Sequence, residues 1–222
     1  MGEKVEFPSN GKTAEGYLAT PASGAGPGVI VIQEWWGLVP HIIDVADRFA
    51  AEGFAALAPD LYHGAAATEP DEAGKLMMGL DLERAAKDLT GAVDYLLSRG
   101  SAVGCVGYCM GGGLALWLAS LRPEIAEAVV YYGVIPWPQA QPNLAAIAGH
   151  VTGFFGENDT SASPEHVKSL EADLNAAGVS NDMTIYPGAD HAFFNDTRPE
   201  VYRADLAAQT WARTIAALRD RL

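Results

Sequence analysis

Two hydrophobic patterns alternate along this chain. Short runs of consecutive apolar residues mark strands buried on both faces. Stretches with an apolar residue every three or four positions mark helices with one buried face. "GPGVIVIQEWWG" contains the run Val29 to Ile32, and "FAALAPD" holds a second buried strand. Between them, "HIIDVADRFAAEG" sets Ile42, Ile43, Ala46, Phe49 and Ala50 at helical spacing, with Gly53 ending the helix. Upstream, "KVEFPSNGKTAEGYLATP" reads as two strands around a Ser9-Asn10-Gly11 turn. Residues 60 to 80 carry Gly64, Pro70 and Gly74 and read as a flexible loop over one end of the sheet.

The alternation continues to the end. A helix runs from Asp81 to about Ser98, with Leu82, Ala85, Ala86, Leu89, Val93, Leu96 and Leu97 on one face. "AVGCVGY" is a strand, and "MGGGLALWLASL" a helix closed by Arg122-Pro123. Next come the strand "AEAVVYYG", the proline-rich loop "IPWPQAQPNL" and the strand "HVTGFFGEND". The helix "SPEHVKSLEADLNAAG" takes Ser163 as N-cap and Pro164 as first residue. "NDMTIYPG" is the last strand, and "RPEVYRADLAAQTWARTIAALRDRL" the last helix. Strand–helix alternation predicts an α/β fold with a mostly parallel sheet. No linker or repeat divides it, so one domain over 1–222 without a large cap is expected.

Composition narrows the function classes. With 14 basic and 28 acidic residues the net charge is −14, which repels nucleic acid and anionic membrane. "MGEKVEFPSNGKTAEGY" lacks the apolar core of a signal peptide, and no run reaches the length of a membrane span. A cytoplasmic protein, acting on a small molecule as a monomer or small homo-oligomer, is expected. Cys105 and Cys109, the two cysteines, stand too far apart along a strand and turn to bond.

The chemistry centres on "VGYCMGGGLALWLA". Gly107, Cys109 and Gly111 form G-x-C-x-G, a serine-hydrolase elbow with sulfur in place of oxygen. A nucleophile there sits at the positive end of the following helix, which favours a thiolate. The alternative is a buried, inert cysteine beside a packing glycine run, which is how Cys105 reads.

Groups serving such a nucleophile gather where parallel strands end. Asp159 ends "GFFGENDT", with Glu157 as rival, and either could simply cap the next helix. His191 lies in "YPGADHAFFN", giving the chain order nucleophile, acid, histidine. His41 and His166 fall in first helical turns, and His150 starts a strand at the wrong end. His63 in "PDLYHG" could line the site. Oxyanion donors are expected from the backbone N–H of Met110, after the nucleophile, and of Trp35 in "QEWWG". Glu34 beside it is either functional or a solvated loop acid. No metal motif occurs, no phosphate-cradling glycine motif occurs, and no cofactor is implied.

The stretches "VIVIQEWWG", "GFAALAPDLY", "VGYCMGG", "VVYYGV" and "GADHAFFND" resemble the dienelactone hydrolase family, the carboxymethylenebutenolidases of the α/β-hydrolase superfamily. The resemblance covers most of the chain. It implies an eight-stranded, mostly parallel sheet with an antiparallel edge strand, and a Cys–His–Asp triad at Cys109, His191 and Asp159. It implies that Glu34 contacts the resting thiol and helps to activate it, and that Trp35 and Met110 are the oxyanion donors. The implied activity is hydrolysis of an ester or enol-lactone through an acyl-enzyme.

One departure stands out. Family members that act on chlorocatechol-derived lactones hold the substrate carboxylate with arginines, one of them four residues after the histidine. Asn195 occupies that position here, and "AAATEPDEAGK" supplies no second arginine. Trp35, Trp36, Phe193, Phe194 and Trp137 point instead to an apolar pocket. Trp36, Phe193 and Asn195 are therefore expected around the substrate. A carboxylesterase for small uncharged esters, and a non-catalytic binding module on the same fold, are the rival readings.

Overall fold

Each of the eight stretches read as a strand forms one. The computed structural model describes residues 2–100 and 102–222. The strands are β1 (Glu3–Ser9), β2 (Lys12–Ala19), β3 (Gly28–Ile32), β4 (Ala55–Pro59), β5 (Val103–Tyr108), β6 (Ile125–Tyr131), β7 (His150–Gly156) and β8 (Asn181–Tyr186). They form one sheet in the order β1-β2-β4-β3-β5-β6-β7-β8. β3, β4 and β5 are buried along their whole length, as consecutive apolar residues require between two helical layers.

Pairing is parallel from β4 to β8. The expected antiparallel edge strand needs correction. β2 is antiparallel to both β1 and β4, so the reversed strand lies one in from the edge. A tight turn joins β1 to β2, with Asn10 (φ 42°) and Gly11 (φ 84°) both left-handed, as a two-residue hairpin demands.

The helices are α1 (Pro40–Ala51), α2 (Pro70–Met78), α3 (Leu82–Leu97), α4 (Met110–Leu121), α5 (Pro164–Ala176) and α6 (Ala204–Arg221). They flank the sheet. α1 and α6 share a face, where Phe49 packs on Trp211 at 4.5 Å. Asp81 caps α3 by accepting from the N–H of Arg84, and Ser163 caps α5 by accepting from that of His166.

Two expectations fail at helix boundaries. Residues 60–80 are not all loop: α2 forms there, with Pro70 at its start and Asp71 and Glu72 in the first turn. Its apolar Ala73, Leu76 and Met77 do fall at helical spacing, but Pro70 and Gly74 make the segment read as loop. The last helix starts at Ala204, not at Arg198, because 195–203 is taken up by successive turns beginning with Arg198 N–H to Asn195 O. Among the described residues no helix is long and apolar enough to cross a membrane.

Candidate active site

Five loops leave the C-terminal ends of β3, β5, β6, β7 and β8 at the same end of the sheet. They carry Glu34 and Trp35, Cys109, Tyr132, Asp159 and His191 respectively. Chain order and a parallel sheet are enough to bring these distant residues together.

Cys109 sits between β5 and α4 with φ 55° and ψ −119°, a conformation a side-chain-bearing residue rarely adopts. Four backbone hydrogen bonds hold it there. Its N–H donates to Tyr131 O at 3.0 Å, and its carbonyl accepts from Gly112 (2.9 Å), Gly113 (3.3 Å) and Val134 (3.1 Å). Such over-determination is what keeps a strained residue in place. The glycines are steric necessities. A Cβ on Gly107 would lie 1.8 Å from Gly111 O, and one on Gly111 would lie 2.3 Å from Ile32 O. Cys109 is 9% exposed, so its sulfur reaches the surface only through the pocket above it.

Asp159 is 2% exposed. Its Oδ1 accepts from the N–H groups of Ser161 (2.8 Å) and Ala162 (2.9 Å), and its Oδ2 lies 2.7 Å from Nδ1 of His191. Burial alone would raise the Asp159 pKa. The His191 hydrogen bond and charge, with the two backbone donors, outweigh it and hold the carboxyl below its ordinary value. Burial likewise opposes charge on His191, but hydrogen bonds to Asp159 and Cys109 prevail and push its pKa up to about 10. Because Nδ1 is engaged by Asp159, the other ring nitrogen is the one available to the Cys109 sulfur. The rival Glu157 instead accepts from the exposed N–H of Gly188 at 2.9 Å.

The two expected oxyanion donors lie just after β3 and β5. The N–H of Met110 opens α4, and that of Trp35 follows β3. Among the described residues neither has a backbone acceptor.

Glu34 is no solvated loop acid; it is 2% exposed. Its Oε1 accepts from the Tyr132 hydroxyl at 3.3 Å and its Oε2 from Asn195 Nδ2 at 2.7 Å. Burial, and then the charge of Glu34, hold the Tyr132 phenol well above its ordinary pKa, so it stays a donor. The amide of Asn195 cannot be flipped. Its Oδ1 accepts from Thr197 N–H (3.0 Å) and Thr197 Oγ1 (2.6 Å), which turns the NH2 group towards Glu34. The implied contact of Glu34 with the thiol is therefore not what its hydrogen bonds make.

The cavity over Cys109 and His191 has a volume of about 150 Å3. Trp35, Trp36, Met77, Val134 and Arg198 form most of its wall, with Glu34 and Ser161. Several expectations are corrected here. Phe193 and Phe194 do not face it. Both are buried, Phe193 against Tyr132 and Tyr186, Phe194 stacked on Tyr108. Apolar runs read alike whether they line a pocket or fill the core behind one. Trp137 is also outside the wall, its indole N–H donating to Met77 O at 3.1 Å and tying down α2. Asn195 faces Glu34 rather than this cavity. His63 lies elsewhere, Nε2 3.1 Å from the buried Asp88 carboxylate and Nδ1 3.0 Å from Arg84.

A guanidinium does stand at the pocket: Arg198, near in sequence to the family's arginine position but not matching it, lines the wall. Arg198 stacks 5.8 Å over the Trp36 ring, and Glu200 binds it through Nε at 2.8 Å and Nη2 at 2.7 Å. Tyr132 was missed, although it directly follows a strand, the same signal that singled out the other residues. Met77 was missed with α2. Among the described residues, no group of three or more His, Cys, Asp or Glu side chains is arranged to hold a metal ion.

The family model "Dienelactone hydrolase family" matches residues 14–222. "Protein usf" of Aquifex pyrophilus is 37% identical over 234 residues, covering 100% of both chains. "Putative carboxymethylenebutenolidase" of Aquifex aeolicus (strain VF5) is 34% identical over 223 residues, covering 95% of each. A crystal structure titled "Putative Dienelactone Hydrolase" from Klebsiella pneumoniae superposes with a TM-score of 0.86 at 28% identity, covering 98% of this chain and 97% of the other. With a family model spanning nearly the whole chain, full-length relatives and a shared fold, this hydrolase belongs to the dienelactone hydrolase family.

Proposed function

We propose that the protein hydrolyses carboxylic esters or enol-lactones through a covalent thioester on Cys109. The sulfur attacks the carbonyl carbon, and the oxygen takes up negative charge between the N–H groups of Trp35 and Met110. Collapse expels the alkoxide, which takes its proton from His191. Neutral His191 then removes a proton from water, the hydroxide attacks the thioester, and the acid leaves as the thiol is restored. Asp159 holds the imidazole in the tautomer both steps require. In an enol-lactone the expelled oxygen stays attached to the acyl chain until the second step frees both.

One observation carries this reading. A buried carboxylate 2.7 Å from a histidine, which lines one cavity with a cysteine in a strained elbow, is the arrangement nucleophilic acyl transfer requires. A binding module would have no need to hold Cys109 at φ 55° under four hydrogen bonds.

A second observation favours uncharged substrates. Arg198, the arginine at the pocket, is already neutralised by Glu200, and buried Glu34 stands on the cavity wall. An anionic lactone would share the guanidinium with Glu200, whose charge offsets it.

The test compares p-nitrophenyl acetate with a dienelactone on wild type and Cys109→Ala. Wild-type turnover of the acetate, lost by about 10^4-fold or more in the variant, is expected. Unchanged turnover in the variant would overturn the mechanism. A lactone far better than the acetate would overturn the preference for uncharged substrates alone.

A further inference from the structure

The cavity over Cys109 is small, at about 150 Å3. A second cavity of about 430 Å3 adjoins it and shares Trp36 and Arg198 with it. Its floor is built by secondary structure. Ala67 N–H donates to Trp36 O at 3.0 Å, and Gly37 pairs with Ala66, which fixes the 66–68 segment beside the two tryptophans. Val39 and Pro40 at the start of α1 close one side. The turn from Asn195 to Glu200 closes the other.

We infer that this outer groove is a leaving-group subsite, taking the uncharged alkyl alcohol half of an open-chain ester whose small acyl half fills the inner cavity. The inference rests on the proposed function. Three observations assign the occupant. Trp36 and Arg198 line both the groove and the inner cavity that holds His191, and the leaving oxygen must lie at His191 to be protonated. Trp36, Val39, Pro40 and Ala67 offer apolar surface to a chain. The charged pair there, Arg198 and Glu200, is mutually neutralised, so nothing selects an ionic alcohol. Hydrolysis releases the alcohol outward, along the groove and away from the thioester.

The experiment measures kcat/KM for methyl, butyl and hexyl acetate in wild type and in Thr68→Trp. Thr68 is exposed on the rim, and an indole there fills the groove. A half-buried methylene is worth about two-fold, so hexyl acetate should exceed methyl acetate by roughly ten-fold or more. In Thr68→Trp the hexyl-to-methyl ratio should fall to about two or below; as a ratio, it is insensitive to general damage to the variant. In wild type, 1-hexanol should inhibit methyl acetate hydrolysis more strongly than ethanol, which needs no variant.

A flat series in wild type overturns the subsite, as does a preference that survives Thr68→Trp. A preference that runs along methyl acetate to methyl hexanoate, and is lost in Thr68→Trp, would give the groove to the acyl half and overturn the assignment. Failure of the underlying reading looks different: no Cys109-dependent turnover of p-nitrophenyl acetate, whatever the alcohol.

Discussion

Both ends of the sheet bury a carboxylate against a histidine. At the C-terminal end Asp159 meets His191 at 2.7 Å; at the other, Glu127 on β6 meets His150 at 3.1 Å. The chemistry of the two pairs diverges because their remaining partners differ. Asp159 also accepts two backbone N–H groups, and its pKa falls despite burial. Glu127 is fully buried, and burial raises its pKa even though Thr152 and His150 pull the other way. His191 shares a cavity with Cys109. Cys109, Tyr132 and Ala192 adopt left-handed backbone at that end (φ 55°, 39° and 63°), and His150 at the other does not. A carboxylate–histidine pair is therefore not a site by itself. Backbone donors, a nucleophile, local strain and a cavity separate the two ends.

Substitution can break the comparison most sharply. Asp159→Asn should lower kcat on p-nitrophenyl acetate by about 10^3- to 10^4-fold, because the amide no longer fixes the His191 tautomer. Glu127→Gln should leave kcat/KM within roughly three-fold, since it lies at the far end of the sheet. Steady-state kinetics on both variants decides it, and equal losses would erase the distinction.

A smaller effect is expected behind the site. Asn195→Ala leaves Glu34 Oε2 buried without its 2.7 Å donor. Loss of stability by about 1–3 kcal/mol should follow, measured by urea unfolding. No change would mean that water replaces the amide freely.

The remaining effect is read in pH. His191 has its pKa raised from the ordinary 6.5 to about 10, so its pairing stabilises the fold fully below pH 6.5 and is lost as pH rises through 10. For Asp159 the sign reverses: its lowered pKa stabilises above pH 3.8 and is lost as pH falls through the lowered value. The unfolding free-energy gap between wild type and His191→Gln should narrow steadily from pH 6.5 to 10. A constant gap would show that His191 gains nothing from its partners.

Apolar runs foretold the inner strands, the Ser9-Asn10-Gly11 turn foretold the β1–β2 pair, and strand-end polar residues singled out Cys109, Asp159 and His191, which the fold brings to one end. The same rule covered Tyr132 but was not applied to it, since a tyrosine in "VVYYGV" reads as core. Phe193 fails for the opposite reason: its neighbour Ala192 turns left-handed, and the side chain that follows enters the core. α2 was hidden because Pro70 and Gly74 read as loop signals, although Ala73, Leu76 and Met77 fall at helical spacing.

The sequence by itself determined the α/β alternation, the glycine-framed elbow and the order of nucleophile, acid and histidine, because these are local or depend on chain order alone. Only the tertiary structure decided that Asn195 and Tyr132 hold Glu34, that Arg198 is neutralised at the pocket, and that the phenylalanines turn away. Those outcomes depend on which side chains from distant loops meet, and on how burial then weighs charge against hydrogen bonding.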